Sequence, residues 1–282
     1  MAGYSSKKAV RSFGGPDESA DGEFLITQSH HMACFGGKVH VSEMINHRVK
    51  IFDVSNGNLL KSIGELGCFD GEFNVPGGIA LWNDSIVVCD VNNNRLQTFD
   101  NDGNFVSEFG SQGDGPGCFA NPSSVCVDPE SQTIFVGEAG NTRVQILDKD
   151  FNHKSFIPGP PFKSCNHISY DGANKRVIVT DHEAESISFF DAETGQSVSS
   201  LTGEGQEFKG ALKAIADKSG NVLVCEYGEK KVVVFDKDGK KAGQLAEGYD
   251  FKGPMDICIN ENGEVVLLEG DIFAGWNRVT VF

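Results

Sequence analysis

The 282-residue chain carries 40 acidic against 24 basic side chains, which gives a formal net charge of −16. A hydrophobic fraction of 39% with 21 phenylalanines supplies a sizeable core, which excludes a disordered acidic tail. No apolar run reaches the roughly 20 residues of a membrane span, and residues 1–10 do not resemble a signal peptide. We therefore expect a cytoplasmic protein with reduced cysteines and without the general attraction of nucleic-acid binders for phosphate backbones.

Two series of acidic residues run in step along the chain. Members of the first series end an apolar run and lie 43 to 48 residues apart, at Glu43, Asp90, Glu138, Asp181, Glu226 and Glu269. Members of the second series end the next apolar run, at Asp53, Asp100, Asp148, Asp191 and Asp236. Two series with matching intervals indicate an internal repeat of about 45 residues.

Each repeat has the pattern of four short strands. In the second repeat the strands are predicted at residues 78–81, 85–89, 95–99 and 104–109, separated by turns rich in Asn, Asp and Gly. No window keeps a helical period over ten residues. Four strands in about 45 residues are typical of a blade of a β-propeller, so the predicted class is all-β with antiparallel blades.

The number of blades follows from the two ends of the chain. The sixth repeat, residues 255–282, has only three strands before the sequence ends. Residues 8–13 supply a fourth, and like other fourth strands they end in an aromatic residue followed by glycine. We predict one six-bladed propeller over residues 1–282, closed by this N-terminal strand, which removes an open sheet edge.

Four sequence blocks resemble the NHL repeat. They are residues 43–53, 76–80, 88–95 and 99–103, and Asn46-His47 within the first matches part of the motif that names the repeat. The resemblance covers essentially the whole chain, and the chain is similar to the six-bladed C-terminal domain of TRIM-NHL proteins. It implies a domain that recruits protein or RNA targets. No paired Cys/His spacing of a RING is present, so the chain is predicted to be non-enzymatic.

An acidic and a basic residue recur five positions apart between the second and third strands. The pairs are Glu43/Arg48, Asp90/Arg95, Glu138/Arg143 and Glu226/Lys231, with Glu269/Arg278 across a longer loop and Ser186 opposite Asp181. We interpret them as ion pairs that fix the blade. A ring of carboxylates around a cation is the alternative.

One residue per blade is expected near the central axis, at the start of the first strand. These residues are His31, Gly78, Ser124, His167, Lys213 and Asp256. His31 and His167 lie three blades apart and should face each other. With Asp256 they form a competent zinc ligand set, which leaves open a metal-dependent lyase or hydrolase resembling the peptide-amidating lyases. Because channel histidines usually bond to water and backbone, and Lys213 opposes a metal, we predict no metal or other cofactor.

The cysteines are interpreted as small buried residues of the repeat. Cys68 and Cys118 are each preceded by Gly and followed by Phe, and we expect them to be equivalent positions in successive loops. No Cys/His/Asp triad can be assembled from the spacing of the chain.

The loops that enter the first strands share one face, here the recognition face, with the loops between second and third strands. Their charge is mainly acidic, which favours a basic or neutral protein segment as the partner of a monomeric domain. The contact residues predicted there are Phe273, Trp276, Tyr227, His182 and Lys213. Single-stranded RNA bound through Lys213 and Arg95 is the alternative.

Overall fold

A computed structural model describes residues 2–14, 29–157, 162–165, 167–201, 208, 210–271 and 276–282. The predicted propeller is confirmed: the described strands form six antiparallel sheets of four strands. In each sheet an apolar run follows the first turn, so strands two and three are almost continuously buried while the outer strand is more exposed.

The strands of the first three blades follow the chain without a crossover. Blade 1 contains β2 (Ser29–Phe35), β3 (Lys38–Glu43), β4 (Arg48–Asp53) and β5 (Leu59–Ile63). Blade 2 contains β6 (Pro76–Trp82), β7 (Ser85–Asp90), β8 (Arg95–Phe99) and β9 (Phe105–Phe109). Blade 3 contains β10 (Pro122–Val127), β11 (Ile134–Glu138), β12 (Arg143–Leu147) and β13 (His153–Phe156).

The other three blades repeat this order, and the last borrows a strand from the N-terminus. Blade 4 contains β14 (His167–Asp171), β15 (Arg176–Asp181), β16 (Ser186–Asp191) and β17 (Ser197–Ser200). Blade 5 contains β18 (Ala211–Ala216), β19 (Val222–Glu226), β20 (Lys231–Phe235) and β21 (Lys241–Gln244). Blade 6 contains β22 (Pro254–Ile259), β23 (Val265–Asp271), β24 (Trp276–Val281) and β1 (Arg11–Phe13).

The closure of the ring by the N-terminal strand is confirmed. Strand β1 is antiparallel to β24, with Phe13 opposite Val279, and it begins three residues later than the predicted strand. A single helical turn, α1 (Ala2–Ser5), precedes it. The hydroxyl of Tyr4 donates to the carboxylate of Asp217 at 2.9 Å, which holds this turn against blade 5.

The hydrophobic core is divided among the joints between blades. Among the described residues, six apolar clusters each combine side chains of two neighbouring sheets, and the first strands of neighbouring blades contact each other around the ring. At the joint of blades 1 and 2, for example, Val49 packs with Phe73 and Val88. Because every blade buries both faces, the starts of the six first strands are forced together at the axis.

Candidate functional site

The starts of the first strands form a polar layer at the axis. His31, Ser124, His167, Lys213 and Asp256 are at most 9% exposed. Gly78 completes the layer, and a Cβ there would lie 2.7 Å from the Cα of Ser124, so only glycine fits. The sequence had predicted these six positions, which we call the axial layer.

His31 and His167 meet across the axis, as their separation by three blades predicts. Their ring centroids are 4.5 Å apart, and the rings are stacked at 27°. One ligand atom from each, together with a carboxylate oxygen of Asp256, falls within a mutual distance of 4.8 Å. Two imidazoles and a carboxylate are donors that zinc accepts, so these three residues could hold a divalent cation.

The carboxylate of Asp256 is already well partnered in this layer. Its Oδ2 accepts from the backbone N–H of Met32 at 2.8 Å, and its Oδ1 accepts from its neighbour Ile257 at 2.7 Å. Lys213 Nζ lies 3.9 Å from Oδ1 and donates to the carbonyl of Ile168 at 2.9 Å. Burial raises the pKa of Asp256, while Lys213 and the two amides act in the opposite direction. Lys213 thus places a cation beside this carboxylate.

The channel widens on the other side of the axial layer. A cavity of about 900 Å³ lies between the first strands and opens among the turns that follow them. Most of its wall is apolar, contributed by residues such as Ile79, Val125 and Ile257, and Lys213 reaches its floor. The cavity therefore opens on the face opposite to the recognition face.

One expectation about cysteines is wrong. Cys34 of β2 and Cys258 of β22 form a disulfide in the wall of this cavity, although all eight cysteines were expected to be reduced. The two residues are 224 positions apart in sequence, and only the closure of the ring brings blades 1 and 6 side by side. The disulfide therefore joins the first and last blades at the axis.

The other buried cysteines behave as the sequence interpretation expects. Cys89 and Cys225 are fully buried in second strands, and burial raises the pKa of both thiols. Burial also raises the pKa of Cys126, next to the axis, to about 12. These thiols stay protonated near neutral pH, so they lack the nucleophilic thiolate that cysteine catalysis needs.

The recurrent carboxylates and basic residues form the predicted ion pairs. Arg95 Nε lies 2.8 Å from Asp90 Oδ2, and Arg143 Nε lies 2.7 Å from Glu138 Oε1. The remaining pairs are Glu43/Arg48, Glu226/Lys231 and Glu269/Arg278. Most of these acids also accept a backbone N–H from the loop that enters their blade, as Glu138 does from Ala120 at 3.1 Å. The contacts support the structural interpretation rather than a cation ring.

Asp181 departs from the pattern because Ser186 replaces the basic partner. Its carboxylate instead accepts from the backbone N–H groups of Lys163 at 2.7 Å and of Ala184 at 3.0 Å. The hydroxyl of Ser164 donates to it at 3.0 Å as well. The acid therefore fixes the entering loop even without a cation.

Two of the predicted contact residues lie inside the protein. Arg95 is 7% exposed, and it donates to Asp90, to Glu108 and to the carbonyls of Phe69 and Glu72. Lys213 is 9% exposed in the axial layer. Both side chains are largely buried, because the spacing of a repeat does not reveal which charges the fold uses in internal contacts.

The other predicted contact residues lie on the recognition face of blades 4 to 6. His182 is exposed, while Tyr227 and Trp276 are half-buried. Tyr227 packs on Gly253, where a Cβ would lie 2.6 Å from its ring, and Trp276 begins β24 opposite Asp271. Phe273 lies outside the described residues.

Sequence reasoning missed three exposed apolar side chains on the same face, one of which is Ile45 between β3 and β4, at 60% exposed. Leu66 and Phe69, in the connection between β5 and β6, are 63% and 75% exposed. The signal available in the sequence was two large apolar residues inside a loop rich in Gly and acids.

The structural alignment of this loop with the corresponding loop of blade 3 differs from the one predicted from Cys68 and Cys118. The isolated bridges pair Leu66 with Phe73 and Gln112 with Phe119, which aligns Cys118 with Glu72 and Cys68 with Asp114. The equivalence predicted from the flanking Gly and Phe is therefore wrong, because the paired backbone rather than the local tripeptide sets the register.

Comparisons with known proteins agree with this architecture. The family described as DUF5128, 6-bladed beta-propeller, matches residues 70–158. "Protein brain tumor" of Drosophila melanogaster is 36% identical over 88 residues, and "RING finger protein nhl-1" of Caenorhabditis elegans is 47% identical over 55 residues. The chain is a six-bladed propeller that resembles NHL-repeat domains. These matches cover 30% and 19% of this chain but only 8% and 6% of the two relatives.

A solved structure shares the fold over nearly the whole chain. A catalytically inactive virginiamycin B lyase from Staphylococcus aureus, determined with quinupristin, superposes with a TM-score of 0.65 at 12% identity. The match covers 95% of this chain and 82% of the lyase. At this identity the likeness shows the fold alone. Among the described residues there is no helix of the length and apolarity that a bilayer span requires.

Proposed function

We propose that this propeller is a non-enzymatic recognition domain that binds a protein segment on its recognition face. In this proposal it recruits targets in the cytoplasm for a TRIM-NHL-like protein. The observation that carries the proposal is the charge of the face: five cations in or next to the starts of third strands, Arg48, Arg95, Arg143, Lys231 and Arg278, are paired with carboxylates. What remains exposed is mainly acidic and apolar, with Lys163 and Lys230 as exposed cations, and this balance suits a basic or apolar peptide better than a polyphosphate.

A paired selection tests this proposal against RNA binding. The immobilised protein is offered a random peptide display library and, separately, a random pool of single-stranded RNA at physiological salt. We expect enrichment of related peptides and only salt-sensitive RNA retention without a shared motif. Enrichment of one short RNA motif, with no peptide family, would make RNA binding the function.

A metal-dependent lyase or hydrolase is the second candidate, because His31, His167 and Asp256 converge at the axis. Titration of the metal-free protein with zinc in a calorimeter tests it, with His182→Gln as the control for an exposed histidine. We expect no stoichiometric binding, since Lys213 already compensates Asp256. One zinc per chain, lost in His31→Gln but kept in His182→Gln, would favour the enzyme.

A further inference from the structure

The connection between β5 and β6, residues 64–73, exposes apolar surface on the recognition face. Among the large apolar side chains that the structure describes, Phe69 is the most exposed at 75%, and Leu66 is exposed by 63%. Large apolar side chains exposed in one loop among polar residues are candidates for an interaction surface. We call residues 64–73 the anchor loop.

The exposure of these side chains is not a consequence of a loose backbone. Phe73 donates its N–H to the carbonyl of Glu65 at 2.8 Å, and Gly67 donates to the carbonyl of Phe73 at 3.1 Å. Arg95 donates to the carbonyl of Phe69 at 2.9 Å. The buried Phe73 fixes the base of the loop in the core of blades 1 and 2. A frame built in advance lowers the entropy cost of binding a partner.

Blade 3 provides an internal control, because its entering loop has the same frame. Asn141 donates to Gly113 at 3.0 Å, as Asn93 donates to Gly67 at 2.9 Å in the anchor loop. The side chains of Gln145 and Gln97 likewise each accept a loop N–H, at 2.7 and 2.9 Å.

This second frame carries polar or absent side chains where the anchor loop is apolar. Gln112 stands at the position of Leu66, and Gly115 stands at that of Phe69. The frame therefore forms without apolar residues at these positions, so the fold does not require them in the anchor loop.

The same alignment isolates a difference in charge. Glu65 and Asp70 flank the apolar pair and are both exposed, whereas blade 3 has Ser111 and Pro116 at these positions. Neither acid forms an ion pair with any residue that the structure describes. Two acids beside two apolar side chains are complementary to an apolar side chain with a basic neighbour.

We propose that the anchor loop is the main docking point of the recognition face, and that it binds a protein segment in which a large apolar residue adjoins Lys or Arg. This inference rests on the proposed function and names the partner chemistry of that face. It moves the principal contacts from Tyr227 and Trp276 in blades 5 and 6 to Leu66 and Phe69 between blades 1 and 2.

The test grafts the blade 3 residues onto the anchor loop, in the double variant Leu66→Gln/Phe69→Gly. Peptides enriched on the wild-type protein are measured against this variant by fluorescence anisotropy. We expect the affinity to fall about 30-fold or more, as for other hot-spot truncations. A second variant, Leu66→Ser/Phe69→Ser, repeats the measurement without adding glycine to the loop.

The matched control removes exposed apolar side chains elsewhere. Val106 and Val198 lie in outer strands and are 55% and 54% exposed. Val106→Ser/Val198→Ser should change peptide affinity less than about 2-fold, since it leaves the anchor loop intact.

Charge reversal separates the basic neighbour from the apolar anchor. Glu65→Lys/Asp70→Lys should weaken the binding of the enriched peptides. The same variant should bind versions of these peptides in which Lys or Arg is replaced by Glu. Enriched peptides without any basic residue would overturn the charge part of the proposal.

The outcomes distinguish this inference from the function on which it rests. If no peptide family is enriched, the proposed function fails. If peptides are enriched and bind the grafted variants as tightly as the wild type, recognition stands and the anchor loop is overturned. Selection of an RNA motif that the graft leaves unaffected overturns both.

Discussion

The axial layer and the anchor loop invert the usual distribution of polarity in opposite ways. The axial layer buries a carboxylate, an ammonium and two imidazoles, whereas the anchor loop exposes a phenylalanine and a leucine. In the axial layer the protein supplies the partners itself, as Lys213 does for Asp256. The backbone hydrogen bonds of the anchor loop do not depend on its apolar side chains, because blade 3 forms the same bonds without them. We therefore expect changes in the axial layer to affect stability and changes in the anchor loop to affect binding.

Breaking the charge balance of the axial layer should have the largest effect. Lys213→Met leaves Asp256 buried without its cation, and we expect a loss of unfolding free energy of about 4 kcal/mol. Urea denaturation at pH 7 measures it, while peptide affinity of the folded fraction should be unchanged. The double variant Lys213→Met/Asp256→Asn is the control and should recover much of the loss. A single-variant loss below about 1 kcal/mol would show that this pair is not important for stability.

A second buried polar residue should make stability depend on pH. His40 is 3% exposed, and burial together with the charge of Lys38 lowers its pKa from 6.5 to about 4. Below pH 6.5 the unfolded chain takes up a proton that folded His40 excludes, so stability falls as the pH drops from 6.5 to 4. The expected loss is about 3 kcal/mol at pH 4. Denaturation curves of His40→Leu at several pH values should show a smaller loss of unfolding free energy between pH 6.5 and 4 than those of the wild type. An equal pH dependence in the two proteins would contradict the assignment to His40.

The redox state of Cys34 and Cys258 decides whether blades 1 and 6 are also joined covalently at the axis. Alkylation of the denatured protein should modify six thiols without reductant and all eight after reduction. Replacing both Cys34 and Cys258 by alanine should cost about 2 kcal/mol, because the crosslink closes a long loop in the unfolded chain. Modification of eight thiols without reductant would show that the pair is reduced in solution.

The smallest effect on stability is expected where the effect on binding is largest. Leu66→Gln/Phe69→Gly should change the unfolding free energy by no more than about 0.5 kcal/mol, as for other exposed positions. Thermal unfolding followed by circular dichroism measures it. A clear destabilisation would mean that the two side chains serve the fold, and the contrast between the two regions would fail.

Much of the fold could be predicted from two series of acidic residues. They marked the blades, and the incomplete sixth repeat indicated closure by the N-terminal strand, which pairs with β24. The convergence of His31 and His167 followed from counting three blades between them. These predictions succeeded because each depends on the repeat period and on ring closure.

The candidate site was predicted less completely, because its properties depend on contacts between blades. The burial of Arg95 comes from carbonyls of the anchor loop, and the pairing of Cys34 with Cys258 comes from the joint of blades 1 and 6. Neither contact leaves a spacing in the sequence. The exposure of Phe69 could not be inferred either, since phenylalanine is the usual core residue of this chain.

The sequence by itself determined the number of blades, their strands and the six residues at the axis, because strand periodicity and repeat length are local properties of the chain. Only the tertiary structure decided which charges of different blades lie side by side, as Lys213 and Asp256 do, which thiols meet and which apolar side chains stay in water. Those outcomes depend on distances between residues of different blades, and a one-dimensional pattern carries no information about such distances until the ring is closed.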